Sequence, residues 1–149
     1  MSRECVTFTV GGQVFGLDIG LIRDIRGWGS VTRVPGLPPC VVGVTHLRGA
    51  LLPVVDLAMR LGWGPSPLSE AHSVLVVQLH DRSGALAVDA VGDLIVIEDA
   101  SLQEPPVMTA TGAHHFVEGL VPLRGHMVQV LDIETLLDDD MTVALDSTD

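Results

Sequence analysis

The chain contains no tyrosine, and aromatic residues make up only 3% of it. Single-stranded nucleic acids are held by stacking their bases on aromatic side chains, so that class of partner finds few platforms here. Cations are equally scarce. Lys+Arg number 8 against 19 Asp+Glu, for a net charge of −11, and lysine is absent. Phosphate backbones and anionic membranes require clustered cations, and no cluster exists. With no lysine there is no Gly-x-x-x-x-Gly-Lys loop to cradle a nucleotide, so phosphoryl chemistry is not expected of this chain. No apolar run approaches the roughly 20 residues of a membrane helix; Pro53 and Asp56 interrupt the longest candidate. Met1-Ser2-Arg3-Glu4 leads into an alternating segment with no secretory leader pattern. The two cysteines, Cys5 and Cys40, sit among apolar residues and read as reduced thiols of a cytoplasmic protein. Metal-ligand spacings of the His-x-x-x-His or Cys-x-x-Cys kind are missing, and the adjacent His114 and His115 would point to opposite faces of a strand. Asp138 to Asp140 lacks the glycine and spaced acceptors of a calcium loop. No Gly-x-Ser-x-Gly elbow occurs. No metal, cofactor or catalytic residue is expected.

What the chain does contain is a repeat. The segment from Gly43 to Leu57 returns 76 positions later from Gly119 to Ile133 without a gap, with Gly, Leu, Arg, Gly, Val and Asp in register at 43/119, 47/123, 48/124, 49/125, 54/130 and 56/132. A weaker echo at offset 69 aligns Ile22 with Val91, Asp24 with Asp93 and Ile25 with Leu94. Fixed-offset self-similarity means one structural unit used twice. A unit of about 75 residues is marginal alone, whereas the full 149 residues can bury roughly 70% of the unfolded surface, so the repeats are expected to share an apolar interface.

Each half reads as three strands, a proline-rich turn, two strands around Arg-Gly, and a short helix. Val6–Val10, Val14–Ile19, Leu21–Arg26, Cys40–Leu47 and Ala50–Val55 are the strands of the first half. Asp56 is placed to cap a helix from Leu57 to Leu61, ended by Gly62. In the second half, Ser73–Leu79 is expected to turn at Asp81-Arg82-Ser83-Gly84 and return through Ala85–Val91. Leu94–Ile97, Phe116–Leu123 and Met127–Leu131 follow, then a helix Ile133–Leu137 capped by Asp132. Thr109–His115 reads as an exposed loop and Met141–Leu145 as a further helical turn. Short, evenly spaced strands with frequent turns indicate barrels or sandwiches, and closing each unit removes free edges. The expected fold is all-β: two small five-stranded barrels packed face to face, with short helices at the ends. The expected division is about 1–64 and about 70–137, with 138–149 as a tail.

Gly43-Val44-Thr45-His46-Leu47-Arg48-Gly49 followed by Pro53-Val54-Val55-Asp56-Leu57 resembles the CheW family of chemotaxis coupling proteins. Phe15-Gly16-Leu17-Asp18-Ile19, Asp24-Ile25-Arg26-Gly27-Trp28 and Val31-Thr32-Arg33-Val34 are similar to that family's strands upstream, so the resemblance covers essentially the whole chain. It implies two SH3-like barrels, no catalysis, and a cytoplasmic adaptor that joins the tips of chemoreceptors in a membrane-bound array to the regulatory domain of the histidine kinase CheA. That kinase domain shares the CheW fold, so barrel-to-barrel pairing and self-association into rings are further implications. Neither nucleic-acid binding nor membrane insertion is implied. His46 stands where the family has Asn, and Asp24 where it has Glu. The first change bears on turn geometry, because Asn tolerates positive φ, and it also fits an adaptor of a pilus-motility or other non-flagellar pathway.

The interaction residues expected from the resemblance are Ile22, Asp24, Gly43, Leu47, Arg48, Gly49, Leu94 and Met108. Arg48 presents a cationic fork that could bond a partner or a nearby carboxylate such as Asp24 or Asp56. Ile22 and Asp24 share one face of a strand by two-residue alternation. Gly43 and Gly49 allow close approach of another backbone, and Met108 is an adaptable apolar contact. A reading of another class is a small acidic ligand-binding or hydrolytic barrel with Asp18, Asp24, Asp56 and Asp89 in one cleft.

Overall fold

The computed structural model describes residues 1–104 and 116–137. Met108, the loop Thr109–His115 and the tail from 138 onward lie outside the described residues. Among the described residues, ten strands form in chain order: β1 (Ser2–Val10), β2 (Gln13–Asp18), β3 (Ile22–Gly27), β4 (Val41–Leu47), β5 (Ala50–Asp56), β6 (Ser73–Leu79), β7 (Arg82–Val88), β8 (Ala90–Glu98), β9 (Val117–Leu123) and β10 (His126–Leu131). Two four-residue helices, α1 (Leu57–Arg60) and α2 (Ile133–Leu136), follow β5 and β10. The fold is all-β, as expected.

The strands assemble into two five-stranded sheets, ordered β8-β1-β2-β10-β9 and β3-β6-β7-β5-β4. Here the expected split at about 64/70 needs correction, because neither sheet is a half of the chain. The central sheet is built from residues 22–88, and the terminal sheet from the two ends of the chain. Each repeat gives its first hairpin to the other repeat's sheet. Adding 69 or 76 to the numbers of first-repeat residues and subtracting 69 from those of β6 and β7 maps one strand order onto the other, and the parallel pairing of Val54 with Ala85 onto that of Val130 with Gly16. The physical reason is burial. A repeat of half this chain's length is marginal alone, and exchanging hairpins makes each barrel depend on the other.

Among the described residues, each ring closes through one bridge. After β3 the chain makes a 3-10 turn at Trp28–Ser30, and Thr32 pairs with Val44 of β4. After β8 the equivalent turn at Asp99–Ser101 brings Gln103 to Leu120 of β9. Glycine permits both crossings. A Cβ on Gly43 would lie 2.6 Å from the Thr32 carbonyl oxygen, and one on Gly119 would lie 2.5 Å from Leu102 Cγ.

Side-chain alternation then produces three apolar clusters. Val74 and Val76 of β6 and Ala85 and Ala87 of β7 fill the central barrel with Leu52 and Val54. Cys5, Ile95, Ile97, Val121, Val128 and Val130 fill the terminal barrel. The intervening residues Leu75, Val77, Leu86 and Val88 face the other way and meet Phe8, Val10, Phe15 and Leu17 in a third cluster between the barrels, sealed by Leu57, Ile133 and Leu136 of the helices. The exchanged hairpins are therefore apolar on both faces. Burial within the terminal barrel pushes the Cys5 thiol up to about 11.

The second-half hairpin is tighter than expected. Leu79 pairs with Arg82 across His80-Asp81, so Ser83 and Gly84 belong to β7 instead of the turn. His46 lies within β4 opposite Leu51, and the positive φ values of the next turn fall on Arg48 (53°) and Gly49 (84°). His46 therefore lies before the turn and does not take a positive φ.

Candidate partner-binding site

Six of the expected residues gather on the central barrel, on the end strands β3 and β4 and the hairpin that follows. Leu47 pairs with Ala50 across Arg48-Gly49, whose two positive φ values give a type I′ turn with the twist that flanking strands require. Gly49 has open space around the place of a Cβ, so its conformation, and not crowding, calls for glycine. Gly43 is the reverse case. It is buried beneath Val31 and Thr32, which occupy the space a partner backbone would need. Leu47 is half-buried and packs on the central-barrel core. Arg48 is exposed and makes no hydrogen bond or ion pair with any described residue.

Neither carboxylate expected to hold Arg48 is available to it. Asp24 accepts from Arg26 Nε at 2.7 Å and from the Ile25 amide at 2.9 Å. The hydrogen bond from Arg26 holds the Asp24 carboxyl below the usual carboxylate range, against a small opposing effect of burial. Asp56 is fully buried and accepts from the Ser66 amide and hydroxyl, both at 2.8 Å, while capping α1 at Met59. Ile22 packs against the cluster between the barrels, and a bulge between Ile22 and Asp24 interrupts the alternation that was to place them on one face.

Leu94 lies apart from the others, on β8 of the terminal barrel, and is 53% exposed. Its repeat partner Ile25, on β3, is 46% exposed. A second equivalent pair is Leu51 on β5 at 54% and Met127 on β10 at 45%. Each barrel thus shows solvent an apolar residue on its outer end strand and another beside its Arg-Gly turn. Ile25, Leu51 and Met127 were missed by the sequence reading. Their signal was the repeat itself, since both exposed pairs are apolar in both copies.

Arg26 and Thr45 were missed as well. Arg26 reaches from β3 to β4, where its Nη1 donates to Thr45 Oγ1 at 3.1 Å and to the His46 carbonyl. Thr45 Oγ1 in turn donates to the Ser30 carbonyl at 3.1 Å. A guanidinium therefore spans the seam where the central barrel closes.

The acidic cleft of the alternative reading does not form. Asp18 caps a 3-10 turn at Gly20, and Asp89 accepts from the Gly11 amide at 2.9 Å and lies 3.3 Å from His72 Nε2. With Asp24 and Asp56 engaged as described, the four carboxylates serve four separate local structures, and both barrel interiors are lined mainly by apolar side chains. Among the described residues no group of three or more His, Cys, Asp or Glu side chains is placed to hold a metal ion, and no helix is long and apolar enough to cross a membrane.

Comparison with known proteins agrees with this architecture. The family model described as the CheW-like domain matches residues 4–141. A probable chemotaxis protein CheW of Rhizobium etli is 34% identical over 137 residues, covering 92% of this chain and 88% of the relative. The chemotaxis protein CheW of Rhizobium meliloti is 35% identical over 134 residues, covering 90% and 86%. Among solved structures, the scaffolding protein TtCheW of Thermoanaerobacter tengcongensis superposes with a TM-score of 0.81 at 30% identity, over 93% of this chain and 89% of that one. Two closed five-stranded sheets in duplicated order, matched over nearly the whole length by sequence and by structure, place this chain in the CheW-like domain family.

Proposed function

We propose that this chain is a non-catalytic adaptor that couples chemoreceptors to the histidine kinase CheA in bacterial chemosensory signalling. One observation carries the reading. The barrel interiors are mainly apolar, while Arg48, unpaired among the described residues, and the repeated apolar pairs Ile25/Leu94 and Leu51/Met127 lie on the outside. That distribution suits protein partners; the cavity of the terminal barrel, about 220 Å³ between Phe8, Ile95, Leu123 and Val128, is half-open and mostly apolar. Protein interfaces place apolar anchors at the centre and polar groups at the rim.

The receptor tip is assigned to the central barrel, where Asp24, Leu47 and Arg48 lie. The CheA regulatory domain is assigned to the terminal barrel, around Leu94 and Met127. Met108, outside the described residues, is retained as a kinase contact. Equivalent apolar residues on both barrels also suit a ring in which barrels alternate, with the kinase or with further copies of this chain. Signal transmission is then a matter of which arrangement of kinase and adaptor a receptor favours. The adaptor acts at the cytoplasmic side of the receptor array.

Arg48→Glu tests the assignment. Arg48 is exposed and unpaired among the described residues, so the variant should fold with an unchanged melting temperature and lose receptor-dependent kinase activation in a reconstituted assay. Full activation by a folded Arg48→Glu protein removes Arg48 from the site.

A further inference from the structure

We propose that Arg26 is a positioning residue that makes the two barrels chemically distinct, so that the partner of the central barrel does not accept the terminal one. The inference deepens the adaptor reading and rests on it. The two barrels are built alike, strand for strand, and each closes through an equivalent bridge. At the seam they differ. Arg26 corresponds to Ile95 by the 69-residue offset, and Thr45 corresponds to Val121 by the 76-residue offset. Ile95 and Val121 are buried in the apolar filling of the terminal barrel. Arg26 and Thr45 carry a chain of hydrogen bonds from Asp24 through the guanidinium to Thr45 and on to the Ser30 carbonyl.

The terminal barrel shows that the fold closes without such a network. Well-packed apolar residues are often as stabilising as a partly buried ion pair of similar volume, so stability alone gives the central barrel little reason to keep a guanidinium there. The network instead positions the surface. Through Nε, Arg26 fixes the Asp24 carboxylate on β3; through Nη1, it fixes the His46 carbonyl, two residues before Arg48. One planar fork thus holds the acid of the candidate site and, at the His46 carbonyl, the strand end that leads into the Arg48 turn, a geometry that lysine cannot reproduce.

The test copies the terminal seam onto the central one with the double variant Arg26→Ile/Thr45→Val. Thermal unfolding is measured together with the dissociation constants for two probes, a soluble chemoreceptor signalling fragment and the isolated CheA regulatory domain. The expected result is a melting temperature near that of the unaltered protein, affinity for the receptor fragment down by about tenfold or more, and kinase-domain affinity within about twofold. Arg26→Lys, which keeps the charge without the fork, should recover only part of the loss. Unchanged binding to both probes overturns the proposal, as does an equal loss to both. Collapse of the fold in the double variant also overturns it, by showing that the network is needed to close the barrel. If the unaltered protein binds neither probe, the adaptor reading itself fails, a result distinct from any of these.

Discussion

Asp56 and Asp132 occupy the same place in the two repeats, and the structure gives them unequal work. Each caps the short helix that follows it. Asp132, half-buried, accepts from the Glu134 amide at 3.0 Å. Asp56 is fully buried; its contact with the Met59 amide is long at 3.5 Å, but it also takes the amide and the hydroxyl of Ser66 at 2.8 Å each. Ser66 belongs to the connection between the repeats, so Asp56 ties that segment to the end of β5. Removing Asp132 amounts to losing one helix cap, about 1 kcal/mol. Removing Asp56 breaks two short charge-assisted bonds, each contributing about 1.5–3 kcal/mol, offset by relief of the desolvated carboxylate, for a net loss of about 3 kcal/mol. In a chain of this size 1 kcal/mol moves the melting temperature by about 2–4 °C, so Asp132→Ala should lower it by about that much and Asp56→Ala by about three times as much. Circular dichroism melts of the two variants, with urea titrations to confirm an unchanged slope, make the comparison. Equal shifts would refute the assignment of Ser66 as the source of the difference.

Two further outcomes follow from the seam. Gly43→Ala sets a Cβ 2.6 Å from the Thr32 carbonyl oxygen and 2.7 Å from Val31 Cγ1, a clash that backbone cannot relieve without moving the closing bridge. A loss of about 1–3 kcal/mol is expected, with faster hydrogen exchange at the Thr32 and Val44 amides, which bond each other's carbonyls at 2.9 Å; unchanged exchange there would contradict the closure described. The Asp24 carboxyl should titrate below the usual carboxylate range in a pH series followed by carboxyl carbon NMR, and its midpoint should rise in Arg26→Ile. Because the folded-state value is the lowered one, this ion pair's contribution to stability is present above the unfolded-state value and is lost as pH falls through the folded-state midpoint. A midpoint indifferent to Arg26 would mean that the 2.7 Å contact does not persist in solution.

Strand existence was legible because alternation and turn residues are local signals. Arg48-Gly49 and Gly11-Gly12 each turn where the sequence indicated, since glycine pairs with the twist of a two-residue hairpin. His80-Asp81 was misplaced because Ser83 and Gly84 are turn-like in composition, yet they sit in a strand where Gly84 makes room for Leu137. The candidate site was legible in part. Arg48, Asp24 and Leu94 are at or near the surface, but Gly43 is covered and Ile22 packs against the core. Which of two alternating faces meets solvent depends on what packs across from it, and no local window contains that residue.

From the sequence alone came the duplication, the all-β class and the absence of any catalytic or cation-rich motif, because each is carried by residue type and spacing. The exchange of first hairpins between repeats was decided only by the tertiary structure. Both arrangements, exchanged or not, satisfy the same local pattern, and the chain adopts the one in which Leu75, Val77, Leu86 and Val88 bury against Phe8 and Phe15. The difference between the barrels was likewise invisible. Arg26, Thr45 and Asp24 are ordinary strand residues until the ring closes and brings β3 against β4, and only then does one guanidinium hold both sides of the seam.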